Sequence, residues 1–170
     1  MTRNFLMVIP VIVVTVIGVA VFGASVISDS ADYEIVGVNE QSFYSNTIKI
    51  DDTLVDVQIA DTDVKRTRGL MFEEQMPYDQ GMLFVYEKSG NYSFWMYNVE
   101  FPLDIVWFDD KGNTVHIEQN VPPCTTEPEY CKVYDPGAEA LYVFEATAGF
   151  VDMFGINNDS KFSWVVEKTT

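Results

Sequence analysis

The sequence predicts a mainly β, α+β protein: a small antiparallel barrel or rolled sheet with two short helices, preceded by one N-terminal transmembrane helix. Three observations lead there. Residues 5–27 (FLMVIPVIVVTVIGVAVFGASVI) carry no charge, and as a helix that run reaches roughly 34 Å, enough to cross a hydrocarbon core. From residue 46 onward about eight short runs rich in β-branched and aromatic residues are separated by turn signals. No βαβ rhythm, internal repeat or phosphate-binding loop interrupts them.

Taken in order, the chain divides into an anchor (1–27), an acidic tether (28–45) and an extracytoplasmic β-rich domain (46–170). The apolar run is longer than a secretory signal usually needs, and Phe22-Gly23-Ala24 is a poor cleavage site. An uncleaved anchor is therefore preferred to a cleaved signal, which would leave a secreted protein. Arg3 precedes the run while Asp29, Asp32 and Glu34 follow it, which places the N-terminus in the cytoplasm and the domain outside a cell membrane.

Within the domain, TIKI and LVDVQIA flank the turn-like DDT and read as a hairpin. Asp61-Thr62-Asp63 offers N-cap residues for a short helix over about 62–70, which Gly69 can end. GMLFVY, NYSFWMY, LDIVWF, NTVHIEQ, ALYVFEA and KFSWVVE read as strands, and AGFVDMFGI as a second helix ending at Gly155. Cys124 and Cys131, in PPCTTEPEYC, lack the spacing of a redox motif. Outside the cytosol they are expected to form a disulfide, with a soft-metal pair or reactive dithiol as the alternatives. Asn91 and Asn158 begin glycosylation sequons.

Charge narrows the partners. The 170 residues hold 10 Lys+Arg against 26 Asp+Glu, a formal charge of −16. Such a surface repels nucleic acid, while 48% hydrophobic content excludes wholesale disorder. With His116 as the single histidine, a multi-histidine metal centre is impossible. No cofactor is predicted. The basic cluster Lys65-Arg66-Thr67-Arg68 complements a helix C-terminus, or alternatively forms an anion site.

RGLMF (68–72), GMLFVY (81–86), FWMYNVEFPLDIVWFDDKG (94–112), the PPC…C loop and YVFEATAGFVDMFGI (142–156) together resemble the domain of unknown function 192 family. The resemblance implies a compact, mostly β domain, often exported or membrane-tethered, and supplies no activity. Arg68, Trp95, Met96, Asn98, Pro102 and Asp104 match its pattern, whereas Tyr97 stands where members tend to have Lys and Val99 where they have Thr. If that Lys contacts an anionic ligand, the contact is missing here.

Strand periodicity puts Phe94, Met96 and Asn98 on one face and Trp95, Tyr97 and Val99 on the other, and sets Asp104, Val106 and Phe108 against Leu103, Ile105 and Trp107. Asn98 and Asp104 each sit on an otherwise apolar face and need partners, with Arg68 the candidate for Asp104. They could instead belong to a concave site where Trp95 or Tyr97 supplies an apolar wall and Arg68, Asn98 and Asp104 orient a small polar ligand. Two alternatives stand beside ligand binding or assistance to an envelope protein. One is a hydrolase in which Asp104 pairs with Glu73, Glu74 or Glu145. The other is a Cu(I) site built from Met71, Met82 and Met96, against which adaptable core filling is the usual role of methionine.

Overall fold

The computed structural model describes residues 42–165. The anchor assigned to 1–27 and most of the tether lie outside the described residues. Among the described residues no helix is long and apolar enough to cross a membrane.

β1 (Tyr44–Ile50) and β2 (Thr53–Ala60) form the expected hairpin, with Ile50 opposite Thr53. Asp51 takes a φ of 50° in the turn, a conformation that Asp tolerates better than most residues. Strand β1 begins at Tyr44, so pairing reaches into the segment read as tether. Helix α1 (Asp63–Arg68) starts where Thr62 accepts a bond from Lys65 N at 3.3 Å. Gly69, at φ 47°, ends it.

Strand β3 (Gln80–Gly90) runs parallel to β2, Asp56 opposite Gln80 through Ala60 opposite Phe84. Thus α1 lies within a short crossover, and the otherwise antiparallel sheet has one parallel pair. The remaining strands of the main sheet are β5 (Leu103–Phe108), β6 (Thr114–Val121), β8 (Ala140–Thr147) and β9 (Phe162–Trp164). The order is β6-β5-β8-β3-β2-β1-β9. Phe94–Trp95 (β4) and Val133–Tyr134 (β7) pair separately, and α2 (Phe150–Phe154) ends at Gly155 as expected.

The sheet is a curled half-barrel, open along its edges β6 and β9 and pinched at one end. There Asn113 bridges Lys161, Phe162 N donates to Gly112 O at 2.8 Å and Thr114 Oγ1 donates to Ser160 O at 2.8 Å. A Cβ at Gly112, whose φ is 78°, would lie 2.2 Å from Phe162 O, so only glycine allows the two edges to meet this closely.

Each face carries its own core. Ile48, Val57, Leu83, Val106, Phe144 and Ala146 form one, which α2 covers with Phe150 and Val151. Met82, Phe84, Leu103, Ile105, Trp107 and Val143 form the other, beneath Phe94, Met96 and Tyr134 of the β4–β7 layer. Neighbouring residues on one strand enter different cores, as period-two geometry requires. The central strands β5 and β8 are covered on both sides, and every residue of β5 is buried. At roughly 1.5–3 kcal/mol for each large apolar side chain removed from water, these two cores dominate the fold's stability.

Candidate functional site: a cleft over a buried glutamate

Asp104 is buried, as periodicity suggested, but its partners are not those expected. Its carboxylate accepts from the backbone amides of Asn120 (2.8 Å), Gly149 (3.0 Å) and Val151 (2.9 Å). Arg68 instead pairs with Glu73 at 2.6 Å and stacks its guanidinium over Phe43. The expected Asp104–Arg68 pair is corrected for a geometric reason. Asp104 faces the core that α2 covers, where it ties the start of that helix to the end of β6, whereas Arg68 lies at the margin of a cleft that Asp104 does not line.

That cleft is a narrow slot with a free volume of about 30 Å³, well below that of ordinary small-molecule sites. Helix α1 and the turn after it supply Arg66, Thr67, Arg68 and Met71; the β4 segment supplies Phe94, Trp95 and Tyr97; β3 supplies Phe84 and β8 supplies Glu145. The turn is fixed to the β4 segment by Phe72 N donating to Asn98 O at 2.9 Å. Asn98 adopts φ 57°, which ends the strand alternation and turns Val99 inward; it is half-buried and serves the cleft through its backbone. The disulfide joining Cys124 to Cys131, with Cα atoms 5.6 Å apart, steadies the same segment, since Cys124 N donates to Met96 O at 3.1 Å.

Glu145 is the informative residue. It lies between Met82 and Ile105 of the flanking strands and is 3% exposed. No hydrogen bond joins its side chain to any described residue. Burial pushes its carboxyl up to about 8, so at neutral pH the acid form predominates and one O–H can donate. Its field also reaches Tyr86, whose hydroxyl is raised well above its ordinary value, chiefly by burial, with Arg66 opposing and Glu145 adding to the shift. Arg66 is held in place by donating to Val85 O at 2.8 Å and pairing with Asp63. Trp95 is 41% exposed, and its ring centroid lies 5.3 Å from that of Tyr97.

Of the ligand residues read from sequence, Arg68, Trp95 and Tyr97 converge on the cleft, Asn98 borders it and Asp104 stands apart. Arg66 was seen only as part of a basic cluster, and Glu145 only as a possible partner for Asp104. The available signal for Glu145 was a lone carboxylate inside the apolar run ALYVFEA. Met82 and Met96 are core residues, while Met71 lines the cleft. Among the described residues no group of three or more His, Cys, Asp or Glu side chains could hold a metal ion. His116 is half-buried on edge strand β6, 3.3 Å from Glu118.

Known proteins share this architecture. Among curated proteins, UPF0127 proteins of Thermococcus gammatolerans and Thermococcus sibiricus are 26% identical over 113 residues and 27% identical over 112. Each alignment covers 66% of this chain, and 69% and 68% of the respective relatives. A crystal structure of a Sinorhizobium meliloti protein, provisionally named a transcription regulator, matches with a TM-score of 0.66 at 26% identity, covering 72% of this chain and 95% of that one. A protein of unknown function from Novosphingobium aromaticivorans shares the fold, with a TM-score of 0.62 at 24% identity over 75% of this chain and 89% of its own. The profile of domain of unknown function 192, described as "Uncharacterized ACR, COG1430", matches residues 46–164, from β1 to β9 with the cleft included. The chain belongs to the domain of unknown function 192 family.

Proposed function

We propose that the domain is a small-ligand-binding module, held on the outer side of a cell membrane by its N-terminal segment and performing no chemistry of its own. The observation that carries this reading is Glu145: a carboxyl 3% exposed, without a hydrogen-bond partner among the described residues, at a cleft with an aromatic wall. Burial keeps that carboxyl in its acid form at neutral pH, so it has an O–H to donate to a ligand group at the mouth of the cleft. Neither alternative gains from the geometry, because backbone amides occupy Asp104 and Met82 and Met96 serve the core. The regulator name of the Sinorhizobium protein does not carry over as nucleic-acid binding, since a chain of charge −16 lacks the basic surface that phosphates require.

A fragment screen of the full chain by nuclear magnetic resonance tests the site. Fragments are expected to shift the Trp95 indole N–H signal, identified by its loss in Trp95→Phe. Fragments that bind only elsewhere, or none that bind, would remove the proposal. Carbonate extraction tests the anchor: the full-length chain should stay with membranes, and a soluble product starting near residue 28 would show cleavage instead.

A further inference from the structure

We infer that Val64, Met71, Phe72 and Trp95 form a patch that docks on a phospholipid bilayer, its side chains entering the interfacial zone. Such docking goes beyond ligand binding and rests on the anchor reading, which keeps the domain beside a membrane.

Helix α1 presents Val64, 43% exposed, and the turn after it presents Phe72, 70% exposed. Between them runs a shallow, mostly apolar groove of about 510 Å³, lined also by Thr67, Arg68 and Met71. The slot over Glu145 shares these last three residues and carries the patch on to Tyr97 and to Trp95, 41% exposed. Large apolar side chains exposed singly are ordinary, but several around one groove mark a contact surface. Phe72 is held there against its backbone preference: its φ is 62° and its N–H donates to Asn98 O at 2.9 Å. A bulky side chain kept exposed at that cost has a use outside the fold.

Two observations select a bilayer over a protein partner. The chain enters the domain at this patch, the ring of Phe43 lying 5.3 Å from the Arg68 guanidinium, so a pull from a membrane anchor reaches this face first. Charge is the second. The chain holds 26 Asp+Glu against 10 Lys+Arg, yet here Lys65 pairs with Asp61, Arg66 with Asp63 and Arg68 with Glu73. The patch is therefore close to neutral on an acidic chain, and phosphate headgroups meet the least repulsion there. Asp63 stands fully in water, where such pairs are weak. A guanidinium can then turn to a lipid phosphate while its stem lies along apolar surface. Trp and Phe beside Arg is also the composition of surfaces that seek the membrane interface.

The test uses the full chain reconstituted in vesicles of phosphatidylcholine whose acyl chains are brominated just below the headgroup, since bromine quenches tryptophan emission only at short range. Relative to unbrominated lipid, Trp95 emission should fall by about half, as for an indole at the interface. The quenching should persist in Trp164→Phe and vanish in Trp95→Phe, Trp107 being buried in the core. Phe72→Gly, which relieves the strained backbone, should lower the quenching about twofold while carbonate leaves the chain with the membrane. A chain that carbonate releases removes the anchor reading and the docking with it. A chain that stays in the membrane with Trp95 unquenched overturns the docking alone; acrylamide quenching in the same vesicles then shows whether Trp95 stands in water or beneath a second copy. Equal quenching in the parent and Phe72→Gly would overturn the patch as assigned.

Discussion

Asp104 and Glu145 are buried carboxyls on neighbouring strands, one step out of register: Asp104 lies opposite Ala146, and Glu145 opposite Ile105. That single step sends them to opposite faces of the sheet and into opposite roles. Asp104, 1% exposed, accepts three backbone hydrogen bonds and binds β6 and α2 to the core. Glu145, 3% exposed, has aromatic and apolar neighbours and a narrow opening. Equal burial therefore does not mean equal function. What separates the two is whether the fold supplies the partners that a carboxyl needs.

Four measurements sharpen or break this contrast. The largest effect should come from Asp104→Ala, which removes the acceptor of three backbone amides, that of Val151 fully buried, and should lower unfolding stability by about 3–5 kcal/mol in chemical denaturation. A loss below about 1 kcal/mol would show that Asp104 is not structural.

Glu145→Gln should act in the other direction. Because the folded pKa is raised from 4.5 to about 8, the fold holds this proton more tightly than the unfolded chain does. Its contribution is complete below about pH 4.5 and is lost as pH rises through about 8. The variant should match the parent near pH 4 and exceed it at pH 9 by roughly 2–4 kcal/mol. Parallel stability curves across that range would end the contrast.

Replacing Cys124 and Cys131 together by Ser opens a loop with a sequence separation of 7 and should cost about 2.5 kcal/mol on the chain-entropy estimate. The loss should loosen the β4 segment over Glu145 while the α2 face stays protected, as hydrogen exchange can show. Equal loosening on both faces would show that they do not respond independently.

The smallest effect concerns Phe72, 70% exposed with a φ of 62°. A bulky residue pays for this left-handed conformation, so Phe72→Gly should stabilise by about 0.5–1 kcal/mol in the same denaturation assay. Destabilisation would mean that the ring contributes packing at the cleft margin.

The β-rich class, the first hairpin and both helices were legible because their signals are local: alternation in LVDVQIA, Thr62 as a cap, and glycines at 69 and 155. The parallel pairing of β3 with β2 was not, since a strand pattern does not specify its neighbour. Periodicity correctly buried Asp104 but could not name partners 16, 45 and 47 residues away. Alternation also failed at Val99, because the positive φ of Asn98 turns the chain. Arg68 and Trp95 were recognisable as candidate cleft residues from the family's motif blocks, and Tyr97, which departs from that motif, from strand alternation. Glu145 needed three dimensions, because its significance lies in a missing partner, and a sequence does not display what is missing.

The pinch between β9 and the β5–β6 turn also bears on the time course of folding. β1 pairs with β9, and Lys161 N donates to the Asp51 carboxylate across 110 residues. Contacts of such long range close slowly, because most of the chain's freedom must be lost before they form. The β1–β2 hairpin can assemble early, but its outer edge stays unpaired until residues 161–164 arrive. Lys49 and Asp52 form an ion pair beside that edge, and charge at an edge discourages pairing with a second chain. The first strand of the domain to be synthesised is completed by its last.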